Sequence, residues 1–167
     1  MDYPPETESQ PTAERLGALL AGLRSPHKEA RAEAARLLGQ AGDRALPGLF
    51  QAVHDPNWVV RFRTVEALTA ISDPRVDPVL IAALQDRRDH VRYLAAKGLG
   101  IRKVPAAFIP LLSCLGDENE FVRMSAARSL AILGDPQAVP ALQERLQKEV
   151  GRVAEEIKKA IYCLEYP

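Results

Sequence analysis

Residues 117–142 read DENEFVRMSAARSLAILGDPQAVPAL, and this stretch decides the fold. Asp117 stands six residues before Arg123, with Val122 directly ahead of the arginine. Ala126, Ala127 and Leu130 follow at three, four and seven residues beyond Arg123, the spacing of one face of an α-helix. Gly134 sits where that helix should stop. Asp135-Pro136 then places a cap residue before a proline at the first position of a new helix, and Leu142 marks the buried side of that helix.

Working outward, the same text returns at steps of 31 residues as Asp86/Arg92 and Asp55/Arg61, with Ser25/Arg31 as a weaker first copy. Val91 and Val60 again precede the arginine. Ala34/Ala35/Leu38, Thr64/Val65/Leu68 and Ala95/Ala96/Leu99 repeat the inward triplet. Upstream of each arginine, Leu19, Leu49, Leu80, Leu111 and Leu142 align, each with an apolar partner four residues on (Leu23, Val53, Leu84, Leu115, Leu146). In the fifth copy Ala154 takes the arginine's place. Each unit is thus two helices, and small residues on the second permit close approach of the next unit. A repeated helical hairpin cannot bury its apolar face alone, so the units must stack. The one-residue deletion between the first and second units falls near Ala41–Ala45, in an inter-unit loop, and leaves both helix phases intact.

The expected architecture is all-α: a right-handed α-solenoid of five hairpins covering approximately 12–42, 43–72, 73–103, 104–134 and 135–165, within one domain at 12–167. Layers about 8–10 Å apart would make it roughly 45–50 Å long. Ser25-Pro26, Asp55-Pro56 and Asp73-Pro74 are read like Asp135-Pro136, as caps before proline, and Asp117-Glu118-Asn119-Glu120 as a capping box with Asp117 in the cap position. Gly42 is a second helix-stop glycine. Residues 1–11, without an apolar stripe, are expected to form a flexible tail. The last helix should close the stack with Val153, Ile157, Ile161 and Leu164 inward and Glu155, Glu156, Lys158 and Lys159 outward.

Composition excludes several classes. Aromatic residues make up only 5% of the chain, which favours tight helix packing over a sheet core. Twenty-two basic residues balance twenty-two acidic ones, so net charge offers no nonspecific attraction to nucleic acid or anionic membrane. No apolar run is long enough to span a bilayer, and MDYPPETESQP has no secretory pattern, so a cytoplasmic protein is expected. Cys114 and Cys163 lack metal or redox spacing and are read as reduced helix residues.

These residues resemble the HEAT-like repeats first recognised in phycobilisome lyases. The resemblance spans about 12–165 and is clearest in the second to fourth units. It implies a superhelix in which Asp55, Arg61, Asp86, Arg92, Asp117 and Arg123 form a hydrogen-bonded structural ladder between units. Ser25 in the first unit, and Lys148 and Ala154 in the fifth, depart from that pattern, as terminal caps do. Repeats of this kind occur in chromophore lyases, assembly factors, regulators and DNA-repair proteins, so the resemblance is specific for fold and open as to function.

In such a fold the second helices line the concave face. On a helical wheel, the position five residues beyond the arginine reads Arg36, Glu66, Lys97, Arg128 and Lys159, with Arg63 and His90 beside it. Trp58, Phe62, Tyr93, Met124 and Phe121 form an apolar flank, at positions the repeat does not need for its core. One alternative is that these rings fold onto neighbouring helices and that Glu29, Glu33, Asp89 and Glu120 neutralise the cations. The other is a partner-binding groove of aromatic anchors beside cations, centred on the second to fourth units.

Catalytic patterns are scarce. His27, His54 and His90 are scattered, and His54-Asp55 is not the His-Glu dyad of the deoxyhypusine hydroxylases, the iron enzymes of this fold. No phosphate loop or nucleophile triad is recognisable. The expected function is therefore a noncatalytic scaffold or adaptor without cofactor or metal. It would bind another protein through Trp58, Phe62, Arg63, His90, Tyr93, Lys97, Phe121, Met124 and Arg128. A phycobilin-lyase-like role is the alternative, because tetrapyrrole propionates suit Arg63, Lys97 and Arg128 and its rings suit Trp58, Phe62 and Tyr93. Against it stands length, since five units are short for such a subunit. A nucleic-acid-binding role is a second alternative, disfavoured by neutral charge. The expected state is a monomer, with Tyr162 and Tyr166 leaving room for weak self-association.

Overall fold

A computed structural model describes residues 12–166. The tail expected at 1–11 lies outside them. Ten α-helices follow in order: α1 (Ala13–Gly22), α2 (Lys28–Gln40), α3 (Leu46–Ala52), α4 (Trp58–Thr69), α5 (Val76–Ala83), α6 (Asp89–Ile101), α7 (Phe108–Cys114), α8 (Glu120–Leu133), α9 (Val139–Leu146) and α10 (Gly151–Glu165). Short 3₁₀ turns lead into α3, α7 and α9. Among the described residues there is no strand. The chain is an α-solenoid of five hairpins, with odd-numbered helices first and even-numbered helices second.

The apolar registers form the core. Leu49, Leu80, Leu111 and Leu142 on the first helices are fully buried, as are Leu38, Leu68, Leu99 and Leu130 on the second. Burying each such leucine contributes about 1.5–3 kcal/mol. Val60, Val91, Val122 and Val153, just ahead of the arginine position, are buried as well. The last helix buries Val153, Ile157 and Leu164 together with Ala160, while Ile161 is half-buried.

Second helices touch one another along the whole stack, whereas first helices meet sparsely. The even-numbered side is therefore the shorter, inner side of the curve. Small residues explain the close approach. A Cβ on Gly100 of α6 would lie 2.9 Å from the Cα of Ser129 on α8, so only glycine fits there. Ser129 donates a 2.8 Å hydrogen bond to the Ala96 carbonyl, and Ser125 donates to that of Tyr93. These buried hydroxyls are satisfied by the backbone of the preceding repeat.

The helices start later than their Pro dipeptides suggest. His27, Asn57 and Asn119 occupy the N-cap positions of α2, α4 and α8, and Asn57 and Asn119 accept first-turn N–H groups. Asp55, Asp73, Asp117 and Ser25 act two residues earlier, each accepting from the N–H two positions on. Such Asx-type turns orient the chain before the helix begins, so Asp117 is a turn residue and not the cap of a capping box. Asp135 does cap its short 3₁₀ turn. Gly134 ends α8 at φ 74° and Gly42 follows α2 at φ 65°; Lys103 adopts the corresponding conformation after α6 at φ 52°.

Across the hairpin turns, Arg61, Arg92 and Arg123 each grip two repeats. Arg61 Nη1 donates to the Asp55 carbonyl of its own repeat at 2.9 Å. Its Nε and Nη2 donate to both carboxylate oxygens of Asp86, in the next repeat, at 2.7 Å each. Arg92 repeats this with the Asp86 carbonyl and the Asp117 carboxylate. Arg123 takes the Asp117 carbonyl and then reaches Glu149, whose carboxylate lies 2.7 Å from its Nε. The ladder thus extends one rung beyond the expected break at Lys148. At the other end, Arg24 occupies Asp55 at 2.5 Å, while Arg31 reaches only the carbonyls of Ser25 and Pro26. On the opposite rim, Arg102 ties the loop after α4 to its own: it donates to the Ile71 and Asp73 carbonyls and to Asp77.

Burial pushes the Asp86 and Asp117 carboxyls upward, but the Arg61 and Arg92 guanidinium groups and turn N–H donors more than offset it, leaving both below the usual range. The same balance, with Arg123 and Arg145, holds Glu149 low.

Candidate partner-binding face

The second helices of all five repeats line the inner side of the stack in one register, and the candidate side chains are described along it. Trp58 opens α4 and is half-buried. Its ring centroid lies 5.3 Å from that of His90 at the start of α6, and the Arg88 guanidinium stacks over it at 4.9 Å. His90 also contacts Asp89, whose other oxygen accepts from the Asn119 side chain at 2.5 Å. The His90 contact and local N–H donation lower the Asp89 carboxyl. The N-terminal ends of α4, α6 and α8 are thereby joined into one edge, from Trp58 through His90 and Asp89 to Asn119. Phe121, the next residue along α8 after Glu120, is 50% exposed.

Phe62, Tyr93 and Met124 share the position just after the arginine, and all three are half-buried against the core. Trp58 and Phe62 have different partners: Trp58 pairs with Arg88 and His90, whereas Phe62 lies under Arg63 at 5.5 Å.

The cation ridge divides. Arg63 is drawn in, with its side chain 12% exposed and Glu66 2.6 Å away. Arg36 is paired with Glu33 at 2.6 Å. Arg128 bonds Glu156 on α10 at 2.7 Å yet keeps its own side chain largely exposed. Lys97 and Lys159 are exposed and make no ion pair among those of the described residues. Of the carboxylates expected to neutralise the ridge, Glu33 does so and Asp89 is turned to His90 and Asn119.

Two features were missed from sequence. Arg88 and Asn119 stand in turns, outside any helical wheel, and nothing in their spacing announces contact with Trp58 or Asp89. Ile101 and Ile132, both exposed, lie nine residues beyond Arg92 and Arg123 at the C-terminal ends of their helices. Extending the wheel one further turn would have found them.

Among the described residues no three His, Cys, Asp or Glu side chains converge as a metal site, and no helix is long and apolar enough to cross a membrane. Cys114 is buried, which pushes its thiol up to about 11. A shallow open recess lies beside the ladder, between Gln85, Asp86 and Arg92 and the Ser113–Asp117 turn. Its charged groups, Asp86, Arg92 and Asp117, are those of the ladder itself.

The family profile of HEAT repeats matches residues 16–100 and 78–161. The chain belongs to the HEAT-repeat family. No curated protein matches it in sequence. Among solved structures, this HEAT-repeat chain is similar to a chain of the complex of CpcE and CpcF of phycocyanin lyase from Nostoc sp. PCC7120. They share 27% identity over 89% of this chain and 99% of that one, with a TM-score of 0.78. Computationally designed armadillo repeat proteins for modular peptide recognition share the fold at 18% identity, over 90% of this chain and 82% of theirs, with a TM-score of 0.61. An engineered protein does so at 21% identity and a TM-score of 0.60, over 91% of this chain and 80% of that one. Because the first alignment takes in nearly the whole of the Nostoc chain, the expectation that five repeats are too short for a lyase-type subunit is corrected.

Proposed function

We propose that this HEAT-repeat protein is a noncatalytic adaptor that holds a partner protein against the inner face of its second helices, centred on repeats two to four. The observation that carries this reading is the end-to-end similarity to a chain found in a complex of two proteins. The surface has suitable chemistry. Trp58, Tyr93 and Phe121 are partly exposed aromatics with few rotatable bonds, and Lys97 and Arg128 border them. Stacking by Arg88 and His90 fixes the Trp58 ring before any partner arrives, which reduces the entropy lost on binding. The ladder residues, whose polar atoms face one another, serve the stack.

Affinity capture from the native organism, followed by reconstitution with the recovered protein, tests the reading. Trp58→Ala with Tyr93→Ala and Phe121→Ala should abolish binding while leaving helicity unchanged. Full binding by this folded triple variant would remove the face from consideration.

The 27% identity to the phycocyanin-lyase chain favours a second reading, a lyase-type subunit that handles a tetrapyrrole. Arg128, Lys97 and the aromatic edge then meet the chromophore. Incubation with a bilin, alone and with the captured partner, should shift its visible spectrum; an unchanged spectrum in both mixtures counts against this reading.

A further inference from the structure

We propose that the C-terminal halves of α6 and α8 form a docking site for an acidic amphipathic helix of a partner protein. This rests on the inner face being the partner surface, but it concerns side chains other than the aromatic edge.

Ile101 is 58% exposed and Ile132 40%, and neither packs against the core. They occupy the same register in successive repeats, where repeat two has Ala70 and repeat five has Cys163. Solenoid packing therefore does not require a large aliphatic side chain there. Ile101 directly follows Gly100, and Ile132 comes three residues after Ser129. Gly100 and Ser129 mark the close approach of the two helices, so the isoleucines lie on neighbouring ridges beside it. Isolated exposed aliphatics are ordinary, but two in one register on helices that approach closely make a paired apolar step.

Cations predominate around that step. Lys97 and Arg128 stand one turn before Ile101 and Ile132. The only carboxylates on these helices are Asp89 and Glu120, in the first turns, so neither C-terminal half carries an acid. Glu156 does pair with Arg128, but its side chain is only 14% exposed against 63% for the arginine, so the cation is what a partner meets. Just beyond the helix ends stand Lys103, an exposed cation held in the left-handed conformation after α6, and Asp135, a half-buried acid turned to the N–H of Gln137 after α8. In a chain of zero net charge this local excess selects an acidic partner.

The spacing fits a helix lying across the stack. Neighbouring helices pack about 8–10 Å apart. Residues seven apart on a crossing helix are separated by about 10.5 Å, so leucines at i and i+7 can meet Ile101 and Ile132 together. Acidic residues along one flank of that stripe then face Lys97 and Arg128. A partner whose apolar stripe is flanked by carboxylates satisfies both rows, and one flanked by lysines does not.

The test uses the full chain and a labelled synthetic helix of about three heptads, with leucine at every seventh position and flanking glutamates. Control peptides replace glutamate by lysine, or leucine by serine, and vesicles rich in phosphatidylserine test a purely anionic surface. Fluorescence anisotropy should show saturable binding of the acidic peptide, weakened at least about tenfold by either replacement. Ile101→Ser with Ile132→Ser should weaken it similarly. Lys97→Glu with Arg128→Glu should abolish it and transfer affinity to the lysine peptide. All four side chains are exposed, and circular dichroism verifies that the variants fold. Equal binding by wild type and variants, absence of peptide binding, or binding to vesicles alone would each overturn the proposal. If the captured partner ignores these four substitutions but is lost with the Trp58, Tyr93 and Phe121 variant, the acidic-helix site fails and the adaptor reading stands. If it ignores both sets, the adaptor reading fails as well.

Discussion

Arg123 on α8 and Glu149, two residues before α10, form an ion pair between repeats as Arg61 and Asp86 do, although Glu149 lies one residue beyond the repeat's aspartate register and accepts from Arg123 only through its Nη2, at 3.1 Å. The longer glutamate compensates for the shift. Its carboxylate also meets Arg145 from α9, so one buried acid joins α8 to the last hairpin and to the helix before it. Glu149→Ala strands two guanidinium groups, Arg123 at 13% exposure among them. Removing one partner of such a pair costs about 3–5 kcal/mol, because the remaining charge stays buried. Lys148→Ala, at the register position, loses only an exposed pair with Glu144, worth about 0.3–0.5 kcal/mol. Urea melts of the two variants should separate them clearly; equal midpoints would show that the fifth repeat is held by its leucines alone.

Glycine substitutions should have opposite signs at two helical sites. Gly17→Ala on α1 has nothing within 4 Å of the new Cβ. It should stabilise by about 0.5–1 kcal/mol, through helix propensity and lower unfolded-chain entropy. Gly100→Ala gains the same propensity but drives its methyl to 2.9 Å from the Ser129 Cα and 2.3 Å from its Oγ. Backbone cannot yield as a flexible side chain would, so a net loss of about 1–3 kcal/mol is expected. Thermal denaturation of both variants checks the contrast.

The thiols should also separate. Cys163 is exposed on α10, whereas burial and the nearby Asp117 carboxylate hold Cys114 largely protonated at neutral pH. Reaction requires thiolate and access. A chromogenic disulfide reagent at pH 7.5 should modify one thiol per chain rapidly and the second only after unfolding. Cys163→Ser should remove the fast phase; a fast phase persisting in that variant would mean that α7 opens readily.

How much of this was legible in the sequence depends on which interaction fixed each residue. Leu49, Leu80, Leu111 and Leu142 recur because each meets the same neighbours in every repeat, so their register alone reveals the solenoid. Asp86 and Arg92 were visible for the same reason. Glu149 was not, because a longer side chain can reach its partner from a shifted position, which a fixed-period comparison passes over. The helix starts were misplaced by two residues because Asp55 and Asp117 look like caps. Their carboxylates instead serve a turn N–H and an arginine from another repeat, and that second partner is a tertiary fact. At the candidate face, Lys97, Arg128 and Phe121 stand on solvent as the wheel suggests. Arg63 does not, because Phe62 and Glu66 draw it inward. A wheel gives direction, and side-chain length and neighbours decide the rest.

The ladder should make stability depend on acid in a defined direction. Asp86, Asp117 and Glu149 all titrate below their unfolded values in the folded chain. Above the unfolded carboxylate range, about pH 4, both states are ionised and the full contribution is present. As pH falls through that range the unfolded chain takes up protons first, so unfolding is favoured, until the folded groups protonate as well. Each group adds at most about 1.4 kcal/mol per pH unit to the slope within its window. Urea midpoints should therefore be flat from pH 7 to about 5 and fall steeply below about 4. Glu149→Gln keeps an acceptor for Arg123 but cannot titrate, so it should lower stability at pH 7 and flatten the slope below pH 4. An unchanged slope in that variant would place the acid sensitivity elsewhere than the last rung of the ladder.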